Sequence, residues 1–286
     1  LRKNCAIGFV RCANPRDGAP EIIEQVLAAL MEAREHPELD YFLMSREAQQ
    51  QRQEKADLVL ALHKSVNEDF SHFSIVIQPI VALETGRIVG GEALLRWSKD
   101  GEPLTPAQFI PILEENRLII PVSKWVLEQA VKACRDILRL RPDFRLSFNI
   151  SYLQMQDPTF FPYVHEILHR YGVPGDHVSM ELTETYFDSM PERMLQMIRD
   201  CRGLGISMAL DDFGNGYSAL QCLFRYPIDT VKIDRSMMKQ IQNSKENRQF
   251  LKTVIYACHQ SGKTVCVEGV ETEEELQVVR ETECDY

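Results

Sequence analysis

From residue 74 onward, short runs of β-type residues alternate with runs whose apolar residues recur at helical spacing. That alternation constrains the fold more than any other feature of the chain. The strand candidates are 74–81, 88–97, 144–151, 178–183, 206–211, 229–234 and 264–268. Helical patterns occupy 123–140, 159–171, 191–204, 246–261 and 272–281. Strands separated by helices predict βαβ units around a largely parallel sheet. The first two strands are joined only through Glu84-Thr85-Gly86, too short for a parallel crossover, so this pair is expected to be antiparallel. An eighth strand has room to begin at Cys284-Asp285-Tyr286. The expected fold is therefore α/β and TIM-barrel-like, with an antiparallel first strand and a last strand and helix lying past the given residues.

Side chains on a strand alternate between its faces. In 144–151, Phe144, Leu146, Phe148 and Ile150 share one parity and Asn149 has the other. Val178, Met180 and Leu182 oppose Glu181; Ile206, Met208 and Leu210 oppose Asp211. Val231 and Ile233 oppose Lys232 and Asp234, Val265 and Val267 oppose Glu268, and Glu92 shares a face with Arg96. The apolar set is expected to face surrounding helices. The polar residue comes late in its strand each time, and the C-terminal strand ends of a βα barrel build its active site. One such residue is an ordinary strand-end side chain; the same placement on six strands is a pattern. It gathers Glu92, Asn149, Glu181, Asp211, Asp212 and Glu268 at one mouth, with Lys232 and Arg96 beside them.

Carboxylates crowded in low dielectric repel one another and raise each other's pKa values. Hard divalent cations relieve this, and oxygen-rich clusters suit Mg²⁺ or Mn²⁺. Two such ions about 4 Å apart share a bridging carboxylate and activate a water for attack on phosphorus. Asp211 and Asp212, ending a strand and entering a loop, are the bridging candidates.

Composition limits the alternatives. The formal net charge is −10, which repels a phosphate polymer and argues against DNA or RNA as partner. A small anion remains compatible if cations stand between it and the carboxylates. The eight cysteines, Cys5, Cys12, Cys134, Cys201, Cys222, Cys258, Cys266 and Cys284, form no CxxC pair and read as reduced thiols of a cytoplasmic protein. No apolar run approaches the roughly 20 residues of a membrane span, so no membrane contact is expected from this segment. The chain starts at Leu1, so a longer, sensor-linked protein is expected.

Six linked motifs resemble the EAL family of cyclic di-GMP phosphodiesterases. They are Gly91-Glu92-Ala93-Leu94-Leu95-Arg96-Trp97, Phe148-Asn149-Ile150-Ser151, Glu181-Leu182-Thr183-Glu184, the run Asp211 to Ser218, Lys232-Ile233-Asp234-Arg235-Ser236 and Glu268-Gly269-Val270-Glu271-Thr272, preceded by Gln78-Pro79-Ile80-Val81. The resemblance covers residues 70–286. It implies that Glu92, Asn149, Glu181, Asp211 and Asp212 hold two Mg²⁺ or Mn²⁺ ions. Lys232 would touch the attacking water, Glu268 would ligate metal or help deprotonate that water, and Glu271 would support the second ion. Gln78, Leu94, Arg96 and Asp234 would contact cyclic di-GMP, Arg96 through a phosphate oxygen. The product implied is the linear dinucleotide pGpG. Phe213, Gly214, Asn215, Gly216, Tyr217 and Ser218 resemble the loop that couples the metal site to a homodimer interface, and Glu184 the residue that steadies it.

The chain departs from the family pattern at Asn215, usually Thr, at Arg117, usually Gly, and at the end, where a Gln after Cys-Asp-Tyr lies past Tyr286. Residues 1–44 resemble the tail of a diguanylate-cyclase-like (GGDEF) domain without its signature motif, and 45–69 a connecting helix. A receptor that binds cyclic di-GMP without cleaving it and signals through that helix is the alternative function. His165-Glu166-Ile167-Leu168-His169 fits the H-E-x-x-H zinc signature. Its helix is expected to pack outside the barrel, however, and no metzincin-type continuation follows, so it reads as an amphipathic surface helix.

Overall fold

In a computed structural model the described residues are 6–10, 18–35, 41–183, 192–214, 223, 226–237 and 245–286. They form two compact units, Leu1–Lys64 and Ser65–Tyr286, so the units divide five residues before the expected start of the main domain at 70. In the first unit, β1 (Gly8–Val10) pairs in parallel with β2 (Phe42–Met44), with α1 (Ala19–Glu35) between them in sequence. Ala28 and Ala29 pack with Val10, Phe42 and Ala48. A Cβ on Gly8 would fall 2.4 Å from the backbone of Ala29, so only glycine lets strand and helix approach this closely. α2 (Arg46–Asn67) follows. Its first half is rich in Gln, Glu, Lys and Arg.

The second unit carries β3 (Phe73–Val81), β4 (Ile88–Lys99), β5 (Glu102–Leu104), β6 (Arg145–Asn149), β7 (Val178–Thr183), β8 (Ser207–Phe213), β9 (Thr230–Ile233) and β10 (Thr264–Val267). They lie in one sheet in the order β10-β9-β8-β7-β6-β4-β3, with β5 added to β4. β3 and β4 are antiparallel, as the short turn requires. β4 through β10 are parallel along that path. The described helices are α3 (Pro106–Glu115), α4 (Ile119–Leu138), α5 (Tyr152–Gln156), α6 (Phe160–Tyr171), α7 (Glu192–Gly203), α8 (Lys245–Gln260) and α9 (Glu273–Arg280). α3, α5 and β5 are elements the apolar periodicity does not reveal, and α4 begins four residues earlier than its pattern.

The core forms where the apolar strand face meets the helices. Leu146, Phe148, Met180, Leu182, Leu210, Val231 and Val265 are buried among Leu127, Val131, Ile167, Ile198 and Leu251. Each such side chain withdrawn from water contributes about 1.5–3 kcal/mol. Among the described residues Cys134, Cys201, Cys258, Cys266 and Cys284 are buried free thiols. Cys5, Cys12 and Cys222 lie outside them.

The last two residues extend the sheet. Tyr286 N–H donates to Val265 O (3.1 Å) and Tyr286 O accepts from Val267 N–H (2.9 Å), the two bonds of a parallel bridge opposite Cys266. On the other side Leu83 N–H donates to Asp285 O (3.0 Å). Asp285 Oδ2 also accepts from Val265 N–H (2.7 Å) and pairs with His259 Nε2 (2.9 Å). Asp285 and Tyr286 thus stand between β10 and the residues just after β3, where an eighth strand was expected to begin.

Candidate active site

The charged residues of one parity meet around Lys232. Its Nζ lies 2.8 Å from Glu92 Oε2, 2.6 Å from Glu181 Oε2, 3.3 Å from Asp211 Oδ1 and 2.5 Å from Glu268 Oε1. The strands β4, β7, β8 and β9 supply four of these groups, and Glu268 directly follows β10. Asn149, at the end of β6, joins them by donating Nδ2–H to Glu92 Oε1 at 2.6 Å.

One ammonium faces four carboxylates. Side-chain exposure is 4% for Lys232 and 2% for Glu181, so water does little to offset the imbalance. Burial alone disfavours the Lys232 ammonium, yet Glu181, Glu92, Asp211 and Glu268 outweigh it and hold the pKa well above the ordinary lysine value. Burial raises Glu181, partly opposed by Lys232 and reinforced by Glu92 and Asp211. Glu268 is raised in the same way, burial first. Asp211 Oδ1, although 3.3 Å from the ammonium, is buried and accepts no hydrogen bond. A buried carboxylate oxygen that accepts no hydrogen bond is costly, and here the ammonium that faces it is shared with three other carboxylates.

Asp212 joins the mouth through a backbone irregularity. Adjacent strand residues ordinarily face opposite sides, but the pairing of β8 with β9 slips between Leu210 and Phe213. Asp212 takes φ 57° there. Burial, then the charges of Asp211 and Asp234, raise its pKa. Asp211 and Asp212 are brought to one end by this bulge, which strand parity alone would have forbidden.

The other expected site residues fall into groups. Gln78 is exposed and lies opposite Glu92 in the β3–β4 register. Leu94, Arg96, Asn149, Asp211 and Asp212 border a cleft of about 340 Å³. Arg96 Nη1 donates to Leu95 O at 2.9 Å. Asp234 Oδ1 accepts from Ser236 N–H at 2.8 Å. Glu271 stands apart, 57% exposed and 2.5 Å from Arg235 Nη2. Phe213 is buried, and Gly214 has φ 109°. Glu184, Asn215, Gly216, Tyr217 and Ser218 lie outside the described residues. His165 and His169 are exposed on α6 and Glu166 pairs with Arg170, as a surface helix should.

Sequence reading missed the cleft wall supplied by α3. Ile110 and Glu114 border the cleft, and burial raises the Glu114 carboxyl above its usual range. The available signal was Thr105-Pro106-Ala107-Gln108, in which Gln108 Oε1 accepts from Thr105 N–H at 2.8 Å to close a helix-start box.

Among the described residues no three His, Cys, Asp or Glu side chains form a ready-made cation cage; the Lys232 ammonium takes the point on which the carboxylates converge. The carboxylate and amide donors are nevertheless all oxygen and over-acidic, and Asp211 Oδ1 accepts no hydrogen bond, so these residues fit hard divalent ions.

The EAL domain model of this family matches residues 61–286. The chain belongs to the EAL domain family. An uncharacterized protein of Azorhizobium caulinodans is 35% identical over 242 residues, which are 82% of this chain and 33% of that protein. The cyclic di-GMP phosphodiesterase PA2567 of Pseudomonas aeruginosa is 28% identical over 99% of this chain and 48% of its own length. The chain thus spans a third to a half of these curated relatives. Among solved structures, the PaMucR phosphodiesterase in complex with c-di-GMP superposes with a TM-score of 0.74 at 28% identity, covering 80% of this chain and 93% of that one. These matches, together with the strand order, establish the TIM-barrel-like α/β fold of the EAL domain.

Proposed function

We propose that this EAL domain hydrolyses cyclic di-GMP to linear pGpG with two Mg²⁺ or Mn²⁺ ions. The observation that carries the reading is the convergence of Glu92, Glu181, Asp211 and Glu268 on a single ammonium, four buried or half-buried carboxylates against one positive charge. Similarity to a cyclic di-GMP phosphodiesterase and to a phosphodiesterase bound to c-di-GMP supports the choice of substrate.

Glu92, Asn149, Glu181, Asp211, Asp212 and Glu268 would hold the ions, whose chemistry is to lower the pKa of water and neutralise charge on a phosphoryl group. Glu271, exposed and paired with Arg235, fits a supporting role only if its side chain turns inward. Lys232 holds the carboxylates in place and presents its ammonium to the attacking water. Glu268, with a side chain 32% exposed, would accept a proton from that water. The water oxygen bonds to phosphorus, the P–O3′ bond breaks, and the 3′-oxygen leaves with a proton. Arg96, at the cleft edge, meets a phosphate oxygen, while Leu94, Gln78 and Asp234 border the nucleotide. The run from Phe213 to Ser218, steadied by Glu184, would link the site to a second copy of the chain. The reading further includes a GGDEF-like remnant over 1–44, a connecting helix over 45–69 and a cytoplasmic location. Among the described residues no helix is long and apolar enough to cross a membrane.

The test is turnover of cyclic di-GMP by the natural full-length protein with Mg²⁺ or Mn²⁺, read by chromatography. The expected result is pGpG that vanishes with a chelator and in Glu92→Ala. Tight binding without product would replace the enzyme by a receptor.

A further inference from the structure

The cleft beside the acidic mouth is walled largely by apolar side chains. Leu94 of β4, Ile110 of α3, Ile119 and Val122 of α4, and Ile150 just after β6 line it. Asn149, Asp211 and Asp212 of the mouth border it as well. Its volume of about 340 Å³ is near the lower end of the roughly 300–1,000 Å³ of small-molecule pockets. An apolar cleft of this size, next to residues that handle a phosphodiester, suits one nucleobase.

Two polar groups in this lining have no partner. Glu114 of α3 is half-buried, and its carboxylate has no hydrogen bond or ion pair among the described residues. Burial alone raises its pKa. Gln154 of α5 is 2% exposed. Its Oε1 accepts from Ser151 N–H at 2.6 Å, which leaves Nε2 as a donor, and Nε2 has no acceptor among the described residues. Asp211 Oδ1 is the one wholly buried polar side-chain atom left without a hydrogen bond among the described residues. Gln154 Nε2 therefore keeps open surface, and the cleft that Gln154 lines supplies it. Polar groups held among apolar walls are costly until a ligand completes them.

We infer that Glu114 selects guanine: its carboxylate accepts from N1–H and N2–H of one base of cyclic di-GMP seated in this cleft, while Gln154 Nε2 donates to O6 or N7 of the same base. The inference rests on cyclic di-GMP being the ligand of the proposed function. An ionised carboxylate only accepts hydrogen bonds, through two oxygens side by side. Guanine presents two adjacent donors on its Watson–Crick edge and so matches both oxygens. Adenine presents one donor and one acceptor there, so its N1 would meet Glu114 lone pair to lone pair. A glutamine amide offers one donor and one acceptor and matches adenine instead. Glu114 touches the base and no reacting atom, which makes it a specificity residue.

The experiment is steady-state hydrolysis by the full natural chain with Mn²⁺, comparing wild type, Glu114→Gln and Glu114→Ala. The substrates are cyclic di-GMP, cyclic di-AMP and bis(p-nitrophenyl) phosphate, a phosphodiester with no nucleobase. Wild type should prefer cyclic di-GMP to cyclic di-AMP by about 10²-fold or more in kcat/KM. Glu114→Gln should narrow that preference by about tenfold or more, weakening cyclic di-GMP and improving cyclic di-AMP. Glu114→Ala should lower kcat/KM for cyclic di-GMP, relative to that for bis(p-nitrophenyl) phosphate, by about tenfold or more. If Glu114 only braces α3, its replacement lowers all three substrates together and leaves their ratios fixed, and that result overturns the inference. So does a base preference unmoved in Glu114→Gln. Should Glu114→Ala fail to fold, Glu114→Gln, which keeps the side-chain shape, carries the test through the same ratios. If none of the three substrates is cleaved, the proposed hydrolysis fails, and calorimetric binding of the two cyclic dinucleotides tests Glu114 separately. Equal affinities in wild type, or a preference that Glu114→Gln does not change, overturn the inference there too.

Discussion

The two ends of the same strands differ sharply in chemistry although their side chains share one face. At the C-terminal ends, Glu92, Glu181, Asp211 and Glu268 crowd around Lys232. Two or four residues earlier, the inward positions are Ser and Thr around a lumen. Neither end is packed for stability in the usual way. The outer face, with Leu146, Met180, Leu210, Val231 and Val265 fully covered, performs that task. A barrel whose outside supplies the burial energy is free to use its inside for charge at one end and hydroxyl groups at the other. The acidic end is unbalanced as it stands and calls for cations; the hydroxylated end is bordered by one charge of each sign, Asp143 and Arg145, and does not.

The contrast can be broken at its acidic end first. Glu92→Ala and Asp211→Ala each remove a proposed oxygen ligand and are expected to lower hydrolysis by about 10³-fold or more while retaining the fold. Rate and circular dichroism measured on the same samples check this, and full activity in either would sink the ligand assignment. Lys232→Met leaves four carboxylates without their counter-charge. In metal-free buffer it should destabilise the domain by about 3–5 kcal/mol, and Mn²⁺ should restore part of that loss. Denaturant titrations with and without Mn²⁺ give both numbers. The corresponding change below the mouth, Thr230→Val, carries no such charge effect and no comparable Mn²⁺ rescue.

The pH dependence sharpens the comparison further. Burial, only partly opposed by Lys232, raises Glu181 and Glu268 in the fold, so these groups bind protons more tightly folded than unfolded. Their contribution to stability is full below the unfolded carboxylate pKa and is lost as pH rises through the raised folded values. Metal-free protein should therefore lose stability from about pH 4.5 towards neutrality. Glu181→Gln should flatten that slope, and thermal melts across pH measure it. An unchanged slope would show that the mouth is not the source. The smallest effect is expected at Arg117, which takes φ 57° in the turn between α3 and α4, where the family usually has Gly. Arg117→Gly should stabilise by roughly 0.5–1 kcal/mol by relieving that left-handed strain, visible as a higher Tm.

Much of this was legible in the sequence because strand parity is a local rule. Asn149, Glu181, Asp211, Lys232 and Glu268 lie on the inward face as alternation requires, and the antiparallel β3–β4 pair followed from the short turn at Glu84-Thr85-Gly86. What parity could not give was any departure from regular backbone. Asp212 reaches the mouth only through the slipped register and positive φ of β8, and nothing in residue pattern marks that bulge. Lys232 was expected beside the acids and stands at their centre, since which of several inward groups is central depends on strand register. α3 escaped notice because Pro111 sits inside it and it is only ten residues long. Glu271 shares the motif of Glu268 yet pairs outward with Arg235, because residues 268–272 have left the strand and alternation no longer governs them.

The most direct test of the central claim is hydrolysis of cyclic di-GMP by the full natural chain in ¹⁸O-enriched water with Mg²⁺, followed by ³¹P NMR. Water attack on phosphorus predicts one phosphomonoester signal for each remaining phosphodiester, with the isotope shift of ¹⁸O on the monoester. Unchanged cyclic di-GMP bound to the protein, or a monoester without ¹⁸O, would contradict the account.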